Sequence, residues 1–413
     1  MSWRIAVAIA GLLLLVTAAA SAFILLRGGG PSDPISKAAA PFRHDLTGWE
    51  VRHLLNRWLY RIGHLFDDGP SVEEETMTLQ RYFALAADLL SLEREVAEGG
   101  DESLRSTLAD KRKEQQRLEN KVEAILETRV SSVVEDEGLT TSLPLFSRVR
   151  FVFPPLDFEF DQPPQVLVIS PRERISHDRA ILLRRGLTAE QVAALEEETA
   201  ATGVSSLVVS ISGVATYPST IPEYASYENA LETIAHEWLH QYLFFHPLGS
   251  HYFNNDTLRT LNETVANIGG REIADLVQQR FPLPQSSFVA TAEGTGEEPP
   301  IDFRAAMHEL RLEVDRLLGE GKIGEAEALM EEKRRFLAEN GFYIRKINQA
   351  YFAFHGLYGD TPASSSPIGP KMLELRLLSP SLGDFIRSAA DITSEEELDR
   401  LLAETALEIL TPP

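Results

Sequence analysis

The chain of 413 residues carries 39 Lys and Arg against 62 Asp and Glu, a net charge of −23, with 44% hydrophobic and 24% charged residues. That balance supplies a globular core and excludes a nucleic-acid partner, because phosphate neutralisation needs clustered cations. The absence of cysteine excludes disulfides, thiolate metal sites and cysteine nucleophiles, so any metal must be held by His and carboxylate.

Ile5 to Leu26 is an uncharged run of 22 residues, long enough as a helix to span a hydrocarbon core of about 30 Å. Ala20-Ser21-Ala22 offers a small-residue cleavage site, but Phe23-Ile24-Leu25-Leu26 continues the apolar run beyond it. The expectation is an uncleaved transmembrane anchor over residues 1–27 and a single-pass cell-membrane protein with an extracytoplasmic catalytic domain. Charge gives little orientation, since Arg4 on one side is matched by Arg27, Lys37 and Arg43 on the other. Residues 28–44, rich in Gly, Pro, Ser and Ala, read as a linker.

Residues 45–144 read as a helical module. Trp49, Leu54, Leu55, Trp58 and Leu59 recur at helical spacing, as do Leu79, Phe83, Leu85, Leu89 and Leu90. A third helix follows Gly99-Gly100, and its polar gaps at Lys111 and Gln115 suit a hairpin arm better than a coiled coil. The pattern then changes. Val149–Phe153, Phe158–Phe160 and Gln165–Ser170 are short β-rich runs separated by prolines, followed by a helix over Thr188–Thr202 and a strand over Ser206–Thr216. Helices are expected from Ser226 to Phe245, with Ser226 as N-cap, and from Asp256, read as an N-cap, to Arg280. After a loose acidic loop at Ser286–Pro300, helices recur over Phe303–Leu318, Ile323–Glu339, Tyr343–Phe354, Lys371–Leu378, Leu382–Ala390 and Glu395–Ile409. The expected fold class is α-rich α+β: a zincin-like catalytic domain with short strands over residues 145–413, preceded by the anchor and the helical module.

The chemistry concentrates at His236-Glu237-Trp238-Leu239-His240. Four residues are little more than one helical turn, so both imidazoles leave one face and can share a cation. Glu237 lies between them, able to reach a water at the metal without being a ligand. The next helix holds Asn262-Glu263-Thr264-Val265-Ala266, with Glu263 at 263 − 240 = 23 positions beyond the second histidine. The intervening Pro247, Gly249, Asn254 and Asn255 allow the chain to fold back and bring that carboxylate to the same point. His236, His240 and Glu263 around one Zn²⁺ would leave a fourth position open for water.

These two motifs resemble the gluzincins, the thermolysin and zinc-aminopeptidase group, over about Thr216–Arg271. The resemblance implies zinc on His236, His240 and Glu263, Glu237 as general base, and hydrolysis of peptide bonds in a peptide or protein substrate. Ile347-Asn348-Gln349-Ala350-Tyr351 with Leu382-Gly383-Asp384-Phe385 is similar to a family of bacterial aminopeptidases. The chain departs from the gluzincin pattern in three ways. The His-to-Glu spacing is a few residues longer than usual. Asn267 stands where an Asp often orients a ligand histidine, a role its carbonyl can take. No G-x-M-x-N exopeptidase motif is present.

A donor to the developing oxyanion is also required. The candidates are Tyr217, Tyr343, Tyr351, His355, His251 and His246, whereas His44, His53, His64, His177 and His308 fall outside the constellation. Val208–Thr216, just before the motif, is placed to bind a substrate main chain as an edge strand or to be an ordinary internal strand. Two rival functions stay open: a catalytically inactive zincin-like peptide-binding protein, and a helical adaptor with a fortuitous motif.

Overall fold

The computed structural model describes residues 33–50, 52–53, 71–143, 146–284 and 301–410. Asp33 caps the first helix, α1 (Pro34–Ala39), by accepting from the Ser36 amide at 3.1 Å. A 3₁₀ turn at Ala40–Phe42 follows, and Arg43 bridges to Leu183. These residues were expected within a linker; instead Ile35, Ala38 and Ala39 are buried against a sheet.

Capping explains where the long hairpin begins and turns. Ser71 and Glu74 form a reciprocal capping box at the start of α2 (Val72–Ala97), and Asp101 caps α3 (Glu102–Asp136). The apolar stripes of both helices run into the core that holds the site: Leu79, Val122, Leu126 and Val130 share one cluster with Trp238, Leu239, Leu261 and Val265.

The chain then forms β1 (Thr141–Leu143), β2 (Phe146–Phe151), β3 (Phe158–Phe160), β4 (Gln165–Pro171), β5 (Arg179–Leu183), α4 (Ala189–Ala200), β6 (Val204–Ser210) and β7 (Ser219–Ile221). β4 is the centre of an antiparallel sheet in the order β5-β4-β6. Its unbroken apolar run has a simple cause. Leu167 and Ile169 pack with Val192 and Leu195 of α4 on one face, while Val166 and Val168 pack with Ala350 on the other. β5 had no counterpart in the sequence reading, because Ala180-Ile181-Leu182-Leu183 lacks the alternation that marks a strand. The expected strand Ser206–Thr216 begins two residues earlier and ends at Ser210.

Helix α5 (Tyr227–Phe244) starts at Ser226, whose hydroxyl accepts from the Asn229 amide at 3.2 Å. It leads through α6 (Pro247–Ser250) to α7 (Asp256–Arg280). The N-cap of α7 is Asn255 rather than Asp256; Asn255 accepts from Leu258 at 2.8 Å, while Asp256 takes the His177 amide and Arg259. α5 and α7 pass at backbone contact. A Cβ on Gly270 would lie 3.1 Å from the His236 nitrogen, and one on Gly269 would lie 2.7 Å from Leu239. Larger residues there would wedge the two helices apart.

A helical hairpin, α8 (Phe303–Gly319) and α9 (Ile323–Glu339), builds a second core around Met307, Leu310, Val314 and Met330. The helix expected from Tyr343 begins only at Asn348, which caps α10 (Gln349–His355). Residues 345–348 instead lie along β6, where Arg345 donates to the Val208 carbonyl and Lys346 and Asn348 donate to that of Ser206. α11 (Ile368–Leu378), α12 (Leu382–Ala390) and α13 (Glu395–Leu410) close the helical layer behind α7.

The protein is thus helix-rich with a few short strands. Among the described residues no helix is long and apolar enough to cross a membrane. This corrects the expectation of a transmembrane helix in the fold and, with it, of a single-pass cell-membrane location. The run Ile5–Leu26 that prompted it lies outside the described residues, as do most of the first expected helix and the Ser286–Pro300 loop.

Candidate metal centre

α5 is fixed by its apolar side. Ala230, Leu231, Ile234, Trp238, Leu239 and Leu243 are buried, and the Trp238 indole donates to the Pro154 carbonyl at 2.9 Å. The opposite side presents His236 and His240 to a cleft of about 1200 Å³. α7 crosses this side and brings Glu263 to the same point. The His236 and His240 Nε2 atoms are 3.0 Å apart, and Glu263 Oε2 lies 3.7 Å from the first and 3.4 Å from the second.

Those separations suit a metal. Ligand atoms about 2.0–2.2 Å from a tetrahedral zinc ion lie about 3.3–3.6 Å from one another. The tautomer also fits. His240 Nδ1 is 2.7 Å from Asn262 Oδ1, and a carboxamide oxygen can only accept, so Nδ1 carries a proton and Nε2 is the nitrogen left to face the shared point. His236, His240 and Glu263 therefore form a group that could bind a metal ion.

The electrostatics divide the carboxylates by role. Glu237 is buried, and burial pushes its carboxyl up to about 7 despite the nearby charge of His240. Glu263 is equally buried, yet His240 and His236 outweigh the burial and hold it at about 2. For His236, burial and the charge of His240 lower the imidazole to about 4. For His240, burial acts to lower the imidazole, but the Glu263 carboxylate outweighs it and raises it to about 9. Burial thus favours the protonated form of Glu237, while the two imidazoles favour the ionised form of Glu263.

The wider set is brought together only in part. Tyr217 and His355 line the cleft. Tyr343 is 82% exposed and Tyr351 packs between the α8–α9 core and the β-sheet, neither lining the cleft. His246 stacks on Tyr242, and His251 Nδ1 is engaged 2.7 Å from the Pro247 carbonyl. Asn267 uses its amide nitrogen on Asp360 at 3.2 Å, so the carboxamide that orients a ligand histidine is Asn262. His177, expected outside the constellation, lies in the cleft wall.

Three contributors had no place in the sequence reading. Tyr358, half-buried, lines the cleft with its ring 6.3 Å from that of His236. Tyr252 donates to Glu263 Oε1 at 2.5 Å. Gly213 lies against the Glu237 carboxyl. Only the first two carry a side chain that could have signalled a role, and neither has a fixed spacing from the motifs. Comparison with family models, with characterised proteins and with solved structures gave no match.

Proposed function

We propose that this chain is a zinc-dependent peptidase. The observation that carries the reading is the convergence of His236 Nε2, His240 Nε2 and Glu263 Oε2 within 3.0–3.7 Å, with Glu237 on the same helical turn and a long cleft in front of them. A zinc ion held by these three would supply Lewis acidity, lowering the pKa of water and polarising a carbonyl. Glu237 then has the duty its environment supports. Its carboxyl, buried at the cleft and one residue beyond a proposed ligand histidine, accepts a proton from an attacking water and returns it to the leaving amine. Tyr358, beside His236, is the phenol best placed to donate to charge developing on the carbonyl oxygen.

The cleft favours a peptide over a small metabolite. Its volume of about 1200 Å³ exceeds the roughly 300–1000 Å³ typical of small-molecule sites. Residues 211–213 line it beyond the end of β6 and before the bridge from Val214 to Thr220, and offer a main chain to an extended substrate. Incubating the protein with a complex peptide mixture, with and without a chelator, tests the reading by mass spectrometry. New peptide termini that vanish with the chelator and return with zinc are expected; an unchanged mixture would dismiss it.

A further inference from the structure

Glu263 has its two oxygens on different duties. Oε2 faces both imidazoles, at 3.7 and 3.4 Å, whereas Oε1 accepts the Tyr252 hydroxyl at 2.5 Å. A phenol on a buried, ionised carboxylate at this length is a strong charge-assisted hydrogen bond. Tyr252 is itself immobilised. Its ring meets that of His240 edge-on at 6.2 Å, and the Arg259 guanidinium lies 5.7 Å over it, held by Asp256 and the His177 carbonyl. Arg259 and Glu263 are one turn apart on α7, so the loop residue is clamped between two side chains of the helix it serves.

Resting on the zinc reading above, we infer that Tyr252 is a positioning residue that confines Glu263 to one coordinating oxygen. With Oε1 occupied by the phenol, only Oε2 is free to face the metal, and the carboxylate is kept from closing both oxygens over it. That preserves the fourth position for water and substrate. The placement also accounts for the long separation of His240 from Glu263. The segment between α5 and α7 makes an extra helical turn at Pro247–Ser250 before reaching Tyr252, and that detour delivers the hydroxyl.

Tyr252→Phe removes the hydroxyl and leaves the ring between His240 and Arg259. The full-length variant and the parent are stripped of metal, matched by thermal melting, and titrated with zinc against a chromophoric chelator and with cobalt(II) by visible absorption. The expected result is zinc binding weakened about 10–100-fold, the usual effect of losing an outer-shell partner. The cobalt bands should also weaken as Glu263 becomes bidentate and the coordination number rises. Zinc affinity within twofold of the parent and an unchanged cobalt spectrum would overturn the inference while leaving the metal site intact. A parent that takes up neither ion would instead remove both the inference and the reading beneath it.

Discussion

Gly213 lies so close to Glu237 that a side chain of one carbon would overlap the Glu237 carboxyl. The close approach places the backbone leaving β6 beside the proposed base, where both line the cleft. Gly213→Ala must therefore displace either the loop or the carboxylate. Peptide hydrolysis should fall at least about tenfold, since small misplacements of a catalytic group are costly. Zinc content, measured by elemental analysis, should stay at the parent value because no ligand is touched.

Glu263 and Glu272 make a paired test of the metal assignment. Glu263→Ala should weaken zinc binding by about 3 kcal/mol or more, judged by competition with a chelator. Glu272 lies on the same helix but pairs with Arg376 at 2.8 Å, partly exposed. Glu272→Ala should leave zinc affinity unchanged and cost no more than about 1 kcal/mol in stability. The opposite pattern would misplace the third ligand.

Much of this centre was legible because α-helical spacing is rigid. The four-residue step from His236 to His240, and a capped helix beginning at Ser226, leave little freedom in how the imidazoles point. Asn262-Glu263 was legible for the same reason. The contributions of Tyr252, Gly213 and Tyr358 were not, since each depends on a loop path fixed by contacts distant in sequence. The helical hairpin was readable from periodicity, but not that its apolar stripe shares a core with Trp238 and Leu261. The 34–42 segment misled by composition: Pro and Ser there serve a helix start, with Asp33 as its cap.

Tyr358 supplies the third expectation. Tyr358→Phe removes one hydroxyl beside His236 and leaves the metal ligands in place. A fall of about 10²–10³ in kcat with little change in KM or zinc content is expected of a donor that acts on the transition state. A change confined to KM would assign Tyr358 to substrate binding.

The contact that holds the 345–348 segment to the sheet sets an acid limit. Burial alone would raise the Glu196 carboxyl, but hydrogen bonds from Arg345 and the Val208 amide, with the charge of Lys346, hold it below the usual range. Because the folded value is the lower one, the stabilisation is complete above the unfolded carboxylate pKa of about 4.3 and is lost as pH falls through the folded value. Glu196→Gln should cost about 2 kcal/mol at pH 7 and progressively less below about pH 4, measured by denaturant unfolding across that range. A cost that does not depend on pH would deny the carboxylate this role.

The proposed reaction depends on one proton carrier, so Glu237→Gln is its most direct test. Parent and variant are loaded with zinc, their metal content is verified, and both are assayed on peptides that the parent cleaves. The expected result is one zinc per chain in each protein and turnover at least about a hundredfold lower in the variant, the scale of general acid–base assistance. Equal turnover at equal zinc content would contradict the mechanism and the role assigned to Glu237.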